Sequence, residues 1–462
     1  MINKNPSSNK MKGDSCFYDN PKTIDKKAIM NLDSLLSVSS QQLKEWALAQ
    51  DQKDRLRGFR EQFYIPQQND KSVIYLCGNS LGLQPKNARL AINKELETWQ
   101  NHGVEGWFEG ESPWLSYHQY CQKELAELLG TLPEEVCPMH QLTVNLHLML
   151  TSFYRPTSEK CKILTIAGDF PSDQYALETH VALRGYVPSE VIIEIVPPVG
   201  EWLIRTEDIV AAIKSHAHEL ALVCMSGLHY YTGQLFDMRE IVAEAKRHGI
   251  LVGFDLAHAI GNVPLQLHQW DVDFAVWCSY KYLNSGPGGV SGVFVHQKHH
   301  SDTVPRLAGW WGYEESRRFE MTKGFVPMKG AAGWQLSTPN IMALAIHRAS
   351  LGIFEKAGIE NLRSKSMVLT QFLELVIKRI NQKIGFQKIK IITPSEPSQR
   401  GSQLSLLVEE GGKELFDFLV REGIVGDWRE PNCIRLTPVP LYNTFEEIWQ
   451  LENVLLSKLN AI

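Results

Sequence analysis

No stretch of this 462-residue chain reaches the roughly 18 consecutive apolar residues that a helical membrane span needs. Its eight cysteines, Cys16, Cys77, Cys121, Cys137, Cys161, Cys224, Cys278 and Cys433, form no Cys-x-x-Cys pair and have no histidine companions at metal-binding spacing. That argues against structural zinc and for a reducing compartment. Charge of one sign is also scarce: 47 Lys and Arg against 52 Asp and Glu leave a formal net charge of -5. With no basic stripe for nucleic acid and no polybasic segment for anionic lipid, the expected partner is a small molecule or a protein. The first residues, MINKNPSSNKMKGDS, are polar where a signal peptide would carry its apolar stretch, so a cytoplasmic location is expected. His-Glu-x-x-His is absent, no Gly-x-Gly-x-x-Gly follows the first strand pattern, and there is no internal repeat.

What is present is a large apolar fraction, 44%, in a chain long enough for a sizeable core and a second domain. Residues 1–30, rich in Asn, Lys and Ser, read as a flexible tail. Short β-branched runs then recur between helical patterns: VIYLC from Val73, KILTIA from Lys162, VIIEIV from Val191, LALVCM from Leu220, ILVGFD from Ile250, FAVWCS from Phe274 and VSGVFV from Val290. Strands alternating with amphipathic helices predict an α/β fold with a mostly parallel central sheet flanked by helices. In DMREIVAEAKRHG, Asp237 reads as an N-cap with Glu240 three residues on, Met238, Ile241, Val242 and Ala245 mark one face, and His248 and Gly249 close the helix. Two long helical patterns, about 341–357 and 359–379, bridge to a small α+β domain. The expected division is a tail at 1–30, an N-terminal helical segment at 31–75 associated with the small domain, a large domain at 76–345 and the small domain at 346–462.

In an open α/β sheet the ligand lies beyond the carboxyl ends of the strands, so the polar residues that follow each apolar run come first. KILTIA is followed by Asp169, Phe170, Pro171, Ser172 and Asp173; LALVCM by Ser226; ILVGFD ends in Asp255 with His258 three residues on; FAVWCS leads into Tyr280 and Lys281. A lysine in such a loop is ordinarily solvated, but Tyr280, Tyr282 and the glycines beyond it weaken that reading. A partly desolvated amine is a nucleophile suited to condense with an aldehyde. Lys281 with Asp255 suggests pyridoxal phosphate, the aspartate pairing with the protonated pyridine nitrogen so that the ring withdraws electrons. In HQLTVNLHLML, Leu142 and Thr143 open a helix whose free N–H groups would attract a phosphate, although Thr143 taken alone reads first as an ordinary N-cap.

Two spellings are rejected on context. GPGG at 286–289 lacks the Gly-Lys-Ser/Thr of a nucleotide loop and is followed by a strand pattern, so its glycines are expected to allow a tight return between neighbouring strands. GNSLG at 78–82 fits Gly-x-Ser-x-Gly, but a nucleophile elbow must enter a helix at once, and here the helical pattern waits until Pro85. It is read as a turn.

The motifs YLCGNSLGLQP, LTVNLH, DFPSDQYALE, GFDLAHAIGN, CSYKYLNSGPGG, GWWG and NCIRLTPVPLYN, in this order from Tyr75 to Asn443, resemble those of the kynureninase family. The resemblance implies pyridoxal-phosphate fold type I, the aspartate-aminotransferase type. It also implies hydrolysis of L-kynurenine to anthranilate and L-alanine, and of 3-hydroxykynurenine to 3-hydroxyanthranilate and L-alanine. Lys281 matches the Schiff-base lysine, Asp255 the pyridine-nitrogen partner and Phe170 the ring stacked on the cofactor, with Asp173 beside it. Leu142, Thr143, Ser226, His258 and Tyr280 fall on cofactor-contact positions, Tyr280 on a phosphate contact. Trp310 and Thr338 match positions that reach the cofactor partly from a neighbouring subunit, which implies a homodimer with shared active sites. Arg435 matches the arginine for the substrate α-carboxylate; its alternative is an ion pair. Lys281 would also take the Cα proton, and Tyr280 and Lys281, alone or as a relay, are the candidates for activating water. The products point to tryptophan catabolism by the kynurenine pathway or to NAD biosynthesis.

Trp107 stands where the animal-type enzymes carry histidine and Thr338 where they carry asparagine, which predicts a preference for unhydroxylated kynurenine; otherwise Trp107 is core packing. A cysteine desulfurase or selenocysteine lyase is the nearest rival, but it needs a reactive cysteine on a loop, and Cys433 lies in a strand-like run. An aminotransferase and a catalytically silent cofactor-binding protein rank below it.

Overall fold

The apolar runs in the middle of the chain assemble into one seven-stranded sheet. Its strands are β1 (Val136–Pro138), β2 (Lys162–Ile166), β3 (Ile192–Ile195), β4 (Leu220–Ser226), β5 (Leu251–Asp255), β6 (Phe274–Trp277) and β7 (Gly292–Val295). Their spatial order is β1-β7-β6-β5-β4-β2-β3. Strands β2 to β6 run parallel, and β7 is antiparallel to both β6 and β1. Helices cover both faces, so these strands read as unbroken apolar runs; Phe274, Ala275, Val276 and Trp277 are all fully buried. The computed structural model describes residues 32–301 and 303–459, and the tail expected at 1–30 lies outside them.

The helices that matter below are α1 (Ser40–Lys53), α2 (Ala88–His102), α3 (Leu142–Phe153), α4 (Pro171–Leu183), α5 (Met238–Arg247), α6 (Ile341–Ala357), α7 (Ile359–Ile384) and α8 (Phe445–Leu459). Helix α5 is the one read from DMREIVAEAKRHG: the Asp237 carboxylate accepts from the Glu240 N–H at 3.0 Å, and the apolar stripe is buried. Gly249, at φ +66°, turns the chain out of it. Gly358, at φ +74°, breaks α6 from α7, and α7 runs five residues beyond the expected Arg379.

Beyond α7 the chain forms a four-stranded antiparallel sheet of β8 (Lys390–Ile391), β9 (Leu404–Leu407), β10 (Asp427–Arg429) and β11 (Cys433–Leu436), in the order β8-β9-β11-β10. Its core joins Leu43 and Ala47 of α1 to Leu373 and Ile377 of α7, Ile434 of β11 and Ile448 of α8. The VIYLC run departs from expectation. Ile74–Tyr75 pairs in parallel with Ile424–Val425 of this smaller unit instead of joining the large sheet. Strand β1 was not expected: three residues are too few for a periodic signal.

The end of the large sheet opposite the strand carboxyl ends is tied by buried acids. Asp273, fully buried ahead of β6, accepts from the Val252 N–H at 2.7 Å and meets His299 at 2.8 Å, Lys298 at 3.1 Å and Lys246. Glu135, equally buried, accepts from the N–H groups of Gln297 and Leu132 and contacts His268 Nδ1 at 2.9 Å. The rings of His268 and His296 stack there at 4.8 Å and 12°. Nearly parallel rings do not bring their in-plane lone pairs to one point, so this group is a hydrogen-bonded hub.

Candidate active site

The carboxyl ends of β2, β4, β5 and β6 open on one cavity. Register brings its parts together: Ser226, the last residue of β4, pairs directly with Asp255, the last of β5. Leu142, Thr143, Phe170, Ser226, Asp255, His258, Tyr280 and Lys281 all line it, joined by Asp169, Ser172, Leu228, Tyr230 and Ala257. Eight residues chosen from sequence thus share one wall, from five separate segments of chain.

Lys281 enters this cavity half-buried, its Nζ 3.0 Å from His258 Nε2 and 5.7 Å from the centre of the Phe170 ring. Its loop is held from behind by GNSLG: the Gly82 N–H donates to the Tyr280 carbonyl at 2.8 Å. A Cβ on Gly82 would sit 2.3 Å from the Lys281 carbonyl oxygen, so only glycine permits this approach. GNSLG is therefore a turn packed against the lysine loop, and no helix begins until Ala88. The GPGG segment makes the return from β6 to antiparallel β7, with Gly286 and Gly288 at φ +86° and +62°.

Three carboxyl groups lie under the cavity. Asp169 is fixed as an acceptor, taking the Phe170 N–H and the Ser226 N–H at 2.9 Å each. Asp255 accepts from the Ala257 N–H at 2.7 Å. Asp173 is buried, and neither of its carboxyl oxygens receives an N–H from the protein. Burial, then the charges of Asp255 and Asp169, push the Asp173 acid well above the usual carboxylate range. Burial also raises Asp255, but the adjacent Asp173 carboxyl, the Lys281 charge and the Ala257 N–H oppose that rise. Both acids are thus raised, Asp173 the further of the two, so Asp173 is the member that holds a proton more readily. Burial, reinforced by Lys281, holds His258 neutral.

Helices α3 and α4 point their amino termini at the same cavity. Gln141 and Phe170 precede them without giving a side-chain cap, and Pro171 has no N–H to satisfy. Thr143, expected as a possible N-cap, lies inside the first turn of α3, and its hydroxyl meets that of Ser172 at 2.6 Å. Free amides, two hydroxyls and the positive ends of two helices make an anion cradle. The Ser226 hydroxyl, His258 Nδ1 and both Asp173 oxygens are buried without a hydrogen-bond partner from the protein. An acid pair, a facing amine, a flat ring and an anion cradle fit pyridoxal phosphate.

Besides Asp173, which lies beneath it, four of the residues chosen from sequence lie outside this wall. Trp107 is half-buried on an aromatic cluster, 5.5 Å from Trp114 and 5.2 Å from Trp311. Trp310 is 45% exposed, its indole donating to the Arg318 carbonyl at 3.2 Å, and Thr338 is exposed. Arg435 is buried in β11, paired with Asp427 at 2.7 Å. Sequence reasoning missed Tyr230 and Asp427. Tyr230 follows β4 by the same strand-end rule that found Ser226, while Asp427 shows only once β10 is paired with β11. Cys433, the thiol a desulfurase reading would need, is fully buried in β11 and pushed up to about 11, mainly by burial.

A family model described as the kynureninase C-terminal domain matches residues 362–455. The chain is 46% identical over 419 residues to a kynureninase of Flavobacterium johnsoniae, covering 90% of this chain and 98% of that one. It is 49% identical over 409 residues to a kynureninase of Xanthomonas campestris pv. campestris, covering 88% and 95%. Among solved structures it is similar to a cysteine desulfurase from Thermococcus onnurineus, with a TM-score of 0.70 at 17% identity, covering 84% of this chain and 95% of that one. It is also similar to C-DES with glycine covalently linked to its pyridoxal-phosphate cofactor, with a TM-score of 0.69 at 18% identity, covering 83% and 96%. At such identities the solved structures speak for the fold alone.

Proposed function

The chain belongs to the kynureninase family, pyridoxal-phosphate-dependent hydrolases of fold type I that cleave kynurenine, and on that premise we propose how its own residues divide the work. The reaction is hydrolysis of L-kynurenine to anthranilate and L-alanine. Held in the cavity, pyridoxal phosphate supplies an aldehyde for an amine and a ring that withdraws electrons.

Lys281 is the residue that would hold the cofactor through its amine, and the same amine, when free, would move the Cα proton. Asp255 carries the negative charge that a protonated ring nitrogen requires, and the proton on Asp173 keeps that charge in place. Phe170 covers one ring face, and Asp169 fixes the backbone of Phe170 and Ser226. Leu142, Thr143, Ser226, His258 and Tyr280, which line the cavity, would hold the cofactor, Tyr280 on the phosphate side. Tyr280 and Lys281, alone or as a relay, are the groups we assign to activating the water; burial disfavours the Tyr280 phenolate, so in the relay Tyr280 would take a proton from water while giving its own to the Lys281 amine. Arg435 receives the substrate α-carboxylate and Trp107 faces the substrate ring, favouring kynurenine over 3-hydroxykynurenine, which is the second substrate.

Trp310 and Thr338 lie outside the cavity of their own chain, which supports their reaching the cofactor of a neighbouring copy in a homodimer. A division at 31–75, 76–345 and 346–462 is supported by the two sheets and the packing of α1 on the smaller one, although α6 runs across the 345/346 boundary and packs Leu351, Phe354 and Ala357 in the large core. No described helix is long and apolar enough to cross a membrane, and the seven described cysteines are free, which favours the cytoplasm.

The observation that carries this reading is the convergence of Lys281, Asp255 and Phe170 on one cavity at the strand carboxyl ends. Borohydride reduction of the holoenzyme followed by peptide mapping tests it, alongside a fluorescence assay for anthranilate. The label is expected on Lys281; a label elsewhere would overturn the assignment.

A further inference from the structure

We infer that Asp427 is a positioning residue for the substrate α-carboxylate, acting by fixing the plane of the Arg435 guanidinium; the inference rests on the assignment of Arg435 to that carboxylate. Asp427 and Arg435 are direct cross-strand partners in the antiparallel register of β10 and β11, so the pleat places both side chains on one face. Asp427 takes one whole edge of the guanidinium: Arg435 Nε donates to Oδ1 at 3.2 Å, and Nη2 meets Oδ2 at 2.7 Å. A bidentate pair of this kind removes rotation about the last side-chain torsion. The Tyr230 carbonyl accepts from Nη1 at 2.7 Å. A guanidinium has five N–H groups. The second hydrogen of Nη1 is left over, together with the Nη2 hydrogen whose contact with Ser80 Oγ is a long 3.3 Å. A second carboxylate can therefore be received only at the Nη1–Nη2 end, exchanging Ser80 for a charged acceptor.

Charge and location agree with this. Arg429 also pairs with Asp427, its Nε 2.9 Å from Oδ1, so two guanidinium groups share one carboxylate and the group carries a standing positive charge. Ser80 of GNSLG donates to Asp427 as well, which ties this group to the turn behind Lys281. Both guanidinium groups lie over the Tyr230 ring, at 5.8 and 6.0 Å, and Tyr230 meets Phe170 edge-on at 5.3 Å. The chain of contact from Asp427 thus runs through Arg435 and Tyr230 to the ring that covers the cofactor. Burial works against ionisation of Asp427, but Arg435, Ser80 and Arg429 outweigh it and hold the carboxyl below the usual range.

The test compares holoenzymes of the parent, Asp427→Asn, Asp427→Glu and Arg435→Lys. Steady-state kinetics with L-kynurenine are combined with inhibition by two kynurenine analogues, one bearing the α-carboxylate and one lacking it. Asp427→Asn is expected to raise KM and the Ki of the carboxylate-bearing analogue by about 10-fold or more, with kcat within about 3-fold, because a charge-assisted hydrogen-bond pair is lost. The analogue without the carboxylate should bind all four proteins alike. Asp427→Glu, which keeps the charge but shifts it by one methylene, should fall between, and a cofactor absorbance matching the parent shows that the variants are folded. If both analogues weaken equally in the Asp427 variants, or KM is unchanged, Asp427 is merely structural and the inference fails while Arg435 keeps its role. If Arg435→Lys itself leaves KM unchanged, the α-carboxylate is held elsewhere and both assignments fall.

Discussion

The Nζ of Lys281 lies 3.0 Å from Nε2 of His258, and burial keeps that imidazole neutral, so the amine meets a hydrogen-bonding partner and not a second cation. Arginine at position 281 would preserve the charge but could not condense with an aldehyde. Lys281→Arg is therefore expected to lose on the order of 10³-fold or more in kcat, as measured by anthranilate release. His258→Gln, which keeps a polar group beside the amine, should retain borohydride labelling of Lys281 and lose about 10-fold. Activity of Lys281→Arg above about a tenth of the parent would remove the lysine from its proposed role.

Asp173 and Asp255 yield a prediction of opposite sign to the usual carboxylate substitution. Asp173 is the member raised further, so Asn at that position keeps a neutral group beside Asp255, and Asp173→Asn should lower kcat/KM by less than about 10-fold. Asp255→Asn removes the charge itself and should lose about 10²-fold or more. Asp173 has a folded pKa above its unfolded value near about 3.9, so its burial costs stability as pH rises above that value. The apoprotein of Asp173→Asn should accordingly melt higher than the parent at pH 8, with the difference vanishing near pH 4; a lower melting temperature at pH 8 would mean that Asp173 is ionised.

The strand-end rule found most of the cavity wall because parallel strands buried on both faces are unbroken apolar runs, and the residue that ends each run is already at the rim. Ser226, Asp255 and Lys281 were legible for this reason, and so in principle was Tyr230. Ile74–Tyr75 misled because an apolar run specifies a strand without specifying its sheet; its partner Ile424–Val425 lies some 350 residues on, in the smaller unit. Asp427 was illegible for a related reason. Its meaning comes from the β10–β11 register, and nothing in the spelling GDWREPNCIRL says which residue faces Arg435. Trp107, Trp310 and Thr338 are recognisable only through the family, since within one chain they do not touch the cavity.

Trp107 packs between Trp114 and Trp311 and offers a substrate an apolar ring with a single N–H. Replacing it with histidine, and Thr338 with asparagine, supplies groups that can both donate to and accept from a ring hydroxyl. The double variant should shift the ratio of kcat/KM for 3-hydroxykynurenine over kynurenine upward by about 10-fold, the worth of roughly one hydrogen bond. Parallel assays of both substrates read the shift directly. A ratio that stays at the parent value would leave Trp107 as core packing.

At the other end of the sheet, Asp273 separates stability from catalysis. Its buried carboxylate bonds the Val252 N–H and His299 and pairs with Lys298 and Lys246. Burial opposes its ionisation, but His299, Lys246 and Lys298 prevail and hold it far below the usual carboxylate range. A folded pKa below the unfolded one contributes stability that is fully present above about pH 3.9 and is lost as pH falls toward the folded value. Asp273→Asn leaves two lysines facing a neutral amide and should cost about 3–5 kcal/mol at neutral pH, read from urea denaturation of the holoenzyme. The deficit should shrink below about pH 4, where the parent begins to lose the same charge. Because Asp273 precedes β6 while Lys281 follows it, kcat/KM of the folded fraction at 25 °C should match the parent; a loss of kcat/KM without loss of stability would mean that the two ends of this strand are coupled.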